Sequence, residues 1–216
     1  MTAPREVVVL VHGLWMHGMV MQLQQYYLQH MGFEVECYSY NSVQLTLTEN
    51  ADGLQRFAHT LGAVRLHWVG HSLGGLVILR ALERATALPP GRVVLLGVPY
   101  NGSYVGRVLG DSDWGSHMVG RSLQEWSNRG KPQNFTDHEI GVIAGSRGLG
   151  LGCLVAPGLA EPHDGTVTVA ETEIASARDS IVLPVTHTSM LLSRMVANQT
   201  GLFLRNGSFD HGAEHG

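Results

Sequence analysis

Residues 66–76 read Leu-His-Trp-Val-Gly-His-Ser-Leu-Gly-Gly-Leu, and this stretch carries the strongest structural signal in the chain. Its apolar start predicts a strand, and the apolar residues that follow it recur at helical spacing. Between the two lies Gly70-His71-Ser72-Leu73-Gly74, a G-x-S-x-G turn of the kind that exposes a serine hydroxyl where a strand meets a helix. The stretch therefore predicts a nucleophile at Ser72.

Strand and helix patterns alternate along the whole chain, which predicts a parallel sheet covered by helices on both faces. The strand patterns are nearly continuously apolar, as burial on two sides requires. We expect residues 1–205 to form a single domain and the polar residues 206–216 to form a flexible tail. Strands are predicted at about 7–11, 34–38, 66–70, 92–97, 139–144 and 180–183, and helices at about 18–31, 49–61, 72–86 and 188–199.

Length and composition narrow the classes of function. The 216 residues are 44% hydrophobic and 15% charged, enough for one packed core. The net charge is −4 and no Lys/Arg cluster is present, which argues against a nucleic-acid partner. No apolar run reaches the length of a membrane span. Since no signal-peptide pattern precedes the first strand, we expect a cytoplasmic protein whose Cys37 and Cys153 stay separate thiols unless the fold brings them together. The oligomeric state stays open.

A serine nucleophile needs a base to take its proton and an acid to orient that base. Parallel strands present their carboxyl ends at one edge, and in strand–helix hydrolases the acid and the histidine follow the serine in that order. His187 comes directly after the last strand pattern, so it is the predicted base. Asp164 follows the fifth strand pattern and precedes the histidine, so it is the predicted acid.

Other residues compete with these assignments. Asp111 and Asp113 follow the fourth strand pattern and are alternative acids, and the Asp-Gly pair at 164 also fits an ordinary turn. His67 and His71 have the four-residue spacing of a metal-binding pair on a helix. Here they straddle a strand and a turn, so we expect neither a metal site nor a cofactor.

When a serine attacks an acyl group, the carbonyl oxygen becomes an oxyanion, and two backbone N–H donors are needed to stabilise it. One is expected beside the nucleophile, at Leu73, and the other in the loop after the first strand, at Leu14. The segment 100–135 is rich in Gly, Ser and Asn but carries aromatic residues, which predicts either short helices over the site or an excursion packed on the core. The side chains predicted to line an apolar acyl pocket, or else to belong to the core, are Trp15, Met16, Tyr100, Trp114 and Met118.

Five segments together resemble the α/β-hydrolase superfamily, and within it the small lipases and esterases. Residues 12–14 (His-Gly-Leu) resemble the oxyanion loop, and residues 70–75 (Gly-His-Ser-Leu-Gly-Gly) are similar to the lipase form of the nucleophile turn. Residues 97–103 resemble the stretch after the next strand, and residues 163–167 and 185–187 look like the acid and base loops. The resemblance covers most of residues 7–200.

This resemblance implies a minimal α/β-hydrolase fold. Its six-stranded, mostly parallel sheet would have the family's strand order 4-3-5-6-7-8, without the usual first hairpin and without a large cap domain. It also implies hydrolysis of carboxylic esters through an acyl-enzyme on Ser72, with a small-molecule or lipid-like acyl ester as substrate. The alternatives are acyl transfer or thioester cleavage by the same triad, and non-catalytic ligand binding on this fold.

Overall fold

A computed structural model of the chain contains one sheet with helices on both faces. It describes residues 5–84, 88–110, 113–129, 131, 138–150, 152–153, 156 and 158–212, and for 113–119 and 129 it describes the backbone alone.

The sheet has the predicted architecture. Its strands are Glu6–Val11 (β1), Glu34–Tyr38 (β2), Arg65–His71 (β3), Arg92–Leu96 (β4), Glu139–Gly145 (β5) and Asp179–Leu183 (β6). The order is β2-β1-β3-β4-β5-β6, and every neighbouring pair is parallel. The predicted fold class is confirmed, and the sheet is wholly rather than mostly parallel. The carboxyl ends of all six strands therefore share one edge.

The helices connect these strands. They are Gln22–His30 (α1), Leu47–Thr60 (α2), Leu73–Arg84 (α3), Tyr104–Gly110 (α4), Asp113–Arg129 (α5), Val169–Thr172 (α6) and Arg194–Asn206 (α7), with 3₁₀ turns at Gly18–Met21 and Ser189–Leu191. The last helix differs from the prediction of 188–199. It begins later because residues 189–191 form a tight turn and Ser193 caps the helix by accepting a hydrogen bond from the Val196 N–H at 3.3 Å.

Alternate residues of each strand face two apolar layers. In β1, Val7 and Val9 face the layer that contains α2 and α3, whereas Val8 and Leu10 face the layer that contains α1 and α7. All four side chains are fully buried. This two-sided burial makes the sheet a rigid platform for the loops at its carboxyl edge.

The described part of the segment between β4 and β5 packs on the core. The Glu125 carboxylate of α5 accepts a hydrogen bond from the Thr48 N–H at 3.0 Å, and the Ser122 hydroxyl donates to Leu45 O at 2.9 Å. Trp126 is buried in the same layer as α2 and α3. These contacts favour the packed excursion over a cover for the site. Within the described ranges, no large cap domain is inserted in the fold.

Residues after α7 also make specific contacts. The Phe209 ring is buried against Phe203, with ring centroids 4.9 Å apart, and the Phe209 N–H donates to the Asp179 carboxylate at 2.7 Å. These contacts fall within the segment predicted to be a flexible tail, and they tie it to the start of β6.

The two cysteines of the chain do not form a disulfide. Cys37 and Cys153 are both free thiols, and burial raises the pKa of Cys37 to about 11.

Taking the described residues together, no helix combines the length and the apolar character that crossing a membrane requires.

Candidate active site

The serine of the G-x-S-x-G turn lies directly between β3 and α3. Its backbone has φ 53°, a left-handed conformation that is strained for any residue other than glycine. The Ser72 N–H donates to Leu96 O of the neighbouring strand at 2.9 Å, which holds the turn against the sheet. The turn therefore has the strained backbone of a nucleophile elbow.

Two glycines allow the backbones to meet at this turn. A Cβ atom on Gly70 would lie 2.5 Å from the Gly75 Cα, and one on Gly74 would collide with the carbonyl oxygens of Val11 and His12. Both positions therefore require glycine. The second contact brings the start of α3 against the loop that follows β1.

Asp164 and His187, the predicted acid and base, form a buried pair. His187 Nδ1 lies 2.7 Å from Asp164 Oδ2, and the His187 N–H donates to Asp164 O at 2.8 Å. The other carboxylate oxygen accepts the N–H groups of Thr166 at 2.9 Å and Val167 at 2.7 Å. The aspartate is 1% exposed and the histidine 9%. Both carboxylate oxygens are therefore satisfied by hydrogen bonds.

These hydrogen bonds decide the charge of the acid. Burial alone would raise the pKa of Asp164, but the neighbouring His187 and the backbone donors outweigh burial, so the pKa is lowered. An ionised carboxylate accepts the Nδ1–H of His187. In the neutral imidazole this tautomer leaves the lone pair on Nε2, which is the nitrogen that a general base requires.

Ser72 lies at the same edge of the sheet as this pair, without a hydrogen bond to it among the described residues. The ring of His71, the preceding residue, lies 4.6 Å from the His187 ring between centroids. Among the described residues, no hydrogen bond joins the Ser72 hydroxyl to His187. In an unliganded enzyme the hydrogen bond between nucleophile and base is often long or misaligned. The structure thus brings Asp164 and His187 into contact and places Ser72 at the same edge of the sheet.

The two predicted oxyanion donors are available. Leu73 is the first residue of α3, where a backbone N–H has no partner within the helix. Leu14 lies in the loop after β1. In the part of the chain that is described, neither N–H donates to another protein group.

His12 braces the loop that carries Leu14. Its Nε2 accepts the Tyr40 N–H at 3.2 Å, so the proton is on Nδ1, which lies 2.8 Å from Gly13 O. The Tyr40 hydroxyl donates to His12 O at 2.9 Å, and the two rings stack 4.5 Å apart. Burial lowers the pKa of His12, so the ring is neutral at neutral pH. This bracing role has no signal in the sequence.

Among the described residues predicted to line an acyl pocket, Tyr100 lies in a different groove from Trp15 and Met16. Tyr100 packs against Trp126, and Lys131 lies 5.6 Å from the centroid of its ring. The side chains of Trp114 and Met118, and those of the alternative acids Asp111 and Asp113, lie outside the described residues. Trp15 and Met16 line a groove of about 620 Å³ whose other walls are His17, Ser39, Tyr40, Asn41, Ser42 and Val43.

The two histidines with metal-like spacing serve separate contacts. His67 Nδ1 accepts the Arg92 N–H at 2.9 Å, and its Nε2 lies 2.6 Å from a Glu6 carboxylate oxygen at the amino end of the sheet. His71 lies at the opposite end of the same strand. Among the residues that are described, no group of three His, Cys, Asp or Glu side chains is arranged to hold a metal ion.

His71 contacts the predicted base, a role that sequence reasoning missed. It is fully buried, and its Nε2 lies 3.0 Å from His187 O, so this nitrogen carries the proton. Burial, with a smaller effect of His187, lowers the pKa of His71 to about 3, so the ring is neutral at neutral pH. His71 occupies a variable position of the G-x-S-x-G motif, so the motif does not predict this contact. The contact depends on where the loop that carries His187 lies.

Together these features define a class of protein. A strained serine follows the third strand of a parallel α/β sheet, and a buried aspartate–histidine pair lies on loops at the same edge. This is the α/β-hydrolase architecture.

The sequence comparison agrees with the architecture. The sequence profile of the alpha/beta hydrolase family matches residues 8–142, more than half of the chain, and the chain belongs to that family. No curated protein sequence matches it.

Several solved structures share the fold. A Bacillus licheniformis lipase in its propeptide form aligns with a TM-score of 0.73 and 19% identity, covering 88% of this chain and 48% of the lipase. The chain thus spans about half the length of that lipase. A metagenomic carboxyl esterase aligns at 0.65 and 14% identity, over 87% of this chain and 66% of the esterase. A Bacillus subtilis carboxylesterase aligns at 0.56 and 15% identity, over 95% and 85%.

Proposed function

We propose that the protein hydrolyses carboxylic esters through an acyl-enzyme intermediate on Ser72. The observation that carries the proposal is the Asp164–His187 pair, whose 2.7 Å contact leaves Nε2 without a partner among the described residues, at the edge where the strained serine lies. A ligand-binding protein has no need of an oriented base beside a strained hydroxyl. The esterases and lipases among the structural neighbours are consistent with this choice.

The reaction follows from the roles of these atoms. Ser72 Oγ attacks the ester carbonyl while His187 Nε2 takes its proton. The oxyanion that forms accepts the N–H groups of Leu14 and Leu73, and the C–O bond to the leaving group then breaks as His187 returns the proton to the departing alkoxide. Water, deprotonated by the same nitrogen, attacks the acyl-enzyme, and the acid is released as the Ser72 hydroxyl is restored.

Asp164 stays ionised throughout. Its carboxylate holds His187 in the tautomer that has its lone pair on Nε2, and it stabilises the imidazolium that forms in each step. The Thr166 and Val167 N–H groups keep the carboxylate in place, which limits the reorganisation needed when the base takes up a proton.

The groove beside the Leu14 loop indicates the type of substrate. Its lining combines Trp15, Met16 and Tyr40 with the Ser39 and Ser42 hydroxyls, and no described residue of this lining carries a carboxylate, an ammonium or a guanidinium group. A groove of about 620 Å³ lies within the size range of small-molecule sites. We therefore propose an uncharged small-molecule or lipid-like acyl ester as substrate.

A fluorophosphonate probe tests the proposal directly, since it reacts only with an activated serine. We expect the wild-type protein to be labelled and the Ser72→Ala variant not to be. Ser146→Ala is the matched control, because Ser146 also lies at the carboxyl end of a strand but its hydroxyl only donates to Leu183 O at 3.3 Å. Labelling that persists in Ser72→Ala would overturn the assignment. A wild-type protein that takes no label and cleaves no p-nitrophenyl ester of any chain length would favour ligand binding.

A further inference from the structure

We infer that Gln24 is a positioning residue for the His187 base, an inference that rests on the proposed function. Gln24 lies in the first turn of α1, far from the base in sequence, and its side chain is fully buried. Its amide contacts residues 190–193, which come shortly after His187 in the chain.

A single amide nitrogen binds three carbonyl groups of that segment. Gln24 Nε2 lies 2.8 Å from Met190 O, 3.1 Å from Ser193 O and 3.3 Å from Leu191 O. Since an amide has two protons, at least one is shared. The reversed amide would point its oxygen at three carbonyl oxygens, so the contacts settle the orientation.

Two of these carbonyls depend on Gln24. Ser193 O also accepts the Ala197 N–H of α7, at 3.1 Å. Met190 O and Leu191 O receive no other hydrogen bond from the described residues. Both residues belong to the 3₁₀ turn Ser189–Leu191, and a turn this short leaves its last carbonyls without partners of its own. Met190 and Leu191 are buried, so losing the amide would leave acceptors unsatisfied inside the protein.

Met190 transmits this restraint to the acid–base pair. A Cβ atom on Gly97 would lie 3.2 Å from Met190 Sδ, 3.1 Å from His187 Nδ1 and 3.0 Å from Asp164 Oδ2. The thioether and the paired side chains therefore pack around the same glycine. A shift of Met190 towards solvent would alter the packing against which His187 is held, and a misplacement of about 1 Å at a catalytic group can cost about 10²-fold in rate.

The test compares two glutamines on the same helix. Gln24→Met removes the amide at similar volume. Gln25→Met is the matched control, because the Gln25 amide also donates to a backbone carbonyl, Val35 O at 2.9 Å, but at β2 rather than at the base loop. Gln24→Asn, which keeps an amide one methylene short of the carbonyls, serves if the methionine variant does not fold.

Two readouts separate positioning from general stability. The first is kcat against KM on a p-nitrophenyl ester, where we expect Gln24→Met to lower kcat about 10- to 100-fold with KM nearly unchanged. The second is the strongly deshielded NMR resonance of the proton between His187 Nδ1 and Asp164 Oδ2. We expect it to broaden or shift in Gln24→Met and to stay in place in Gln25→Met, at equal fractions folded.

The second readout does not depend on activity, so the two proposals can fail separately. An unchanged resonance and unchanged kcat in both folded Gln24 variants would overturn the role of Gln24 and leave the esterase proposal standing. A wild-type protein without esterase activity, whose resonance nevertheless changes in Gln24→Met alone, would overturn the proposed function and support the positioning of His187. Equal losses in Gln24→Met and Gln25→Met would also overturn the inference, because they would indicate a loss of stability only.

Discussion

The amino and carboxyl edges of the sheet differ in their ion pairs and in their backbone strain. At the amino edge, charges are matched: the Glu139 carboxylate lies 2.5 Å from Arg92 Nε and 2.8 Å from Arg178 Nη1. The hydrogen bond from Arg92 lowers the pKa of Glu139, so it is ionised at neutral pH. Burial lowers the pKa of His67, and its neutral ring donates a hydrogen bond from Nε2 to the Glu6 carboxylate at 2.6 Å.

The carboxyl edge instead holds backbone strain and the buried Asp164–His187 pair. Ser72 and Trp15 have φ of 53° and 56°, the only non-glycine residues in the left-handed region among those described. Strain of this kind concentrates at functional sites. The amino edge therefore contributes stability, whereas the carboxyl edge gives up some stability to hold reactive groups in place.

Removing the reacting groups at the carboxyl edge should produce the largest effect. We expect Ser72→Ala and His187→Ala each to lower kcat by about 10⁴- to 10⁶-fold, because each removes a step that the other cannot perform alone. The double variant should be no worse than the poorer single variant. Ester turnover and urea unfolding measure this prediction, with unfolding expected to change little for Ser72→Ala. Multiplicative losses in the double variant would show that the two residues do not act together.

Asp164→Asn should have the next largest effect, about 10⁴-fold in kcat, because an amide in this position favours the wrong tautomer of His187. It should also change the response to acid. The pKa of Asp164 is lowered by folding, so its carboxylate stabilises the protein fully above the unfolded pKa of about 3.9, and this contribution is lost as the pH falls through the folded value.

The measurement for this variant is the free energy of unfolding in urea at pH 7 and near pH 3. The difference between wild type and Asp164→Asn should narrow in acid. Asp210→Asn is a suitable control, because Asp210 is exposed and, among the described residues, its carboxylate accepts only the Gly212 N–H. A difference that stays constant with pH would mean that the Asp164 carboxylate does not stabilise the fold.

Much of this arrangement could be predicted because it depends on chain order. The strands were predictable to within a residue or two, since two-sided burial demands apolar runs such as Val7–Val11. The position of Asp164 followed from the same logic, because parallel strands bring successive carboxyl-end loops to one edge. Order in the chain thus predicts which loops meet.

Order in the chain does not predict how side chains pack once the loops meet. The contact of Gln24 with Met190 O depends on the rotation of α1 about its axis, which no local pattern reports. Tyr100 and Trp15 both follow strands that end at this edge, but Tyr100 packs on Trp126, so the two aromatic residues lie in different grooves. The sequence pattern predicts that the last helix begins before Arg194, because it does not show that the side chains of Thr186 and Ser189 stabilise a turn before α7.

The smallest expected effect is at the amino edge, where a substitution should change stability and leave ester turnover unchanged. Glu139→Gln removes the charge that pairs with Arg92 and Arg178, and because this carboxylate is 37% exposed we expect a loss of only about 1 kcal/mol in the free energy of unfolding. Glu36→Gln in β2, which forms no ion pair among the described residues, is the matched control and should unfold like wild type. Ester turnover should be unchanged in both variants, because neither touches the carboxyl edge. A fall in kcat for Glu139→Gln at a temperature where it is fully folded would mean that the two edges are coupled through the sheet, and the division of roles between them would not hold.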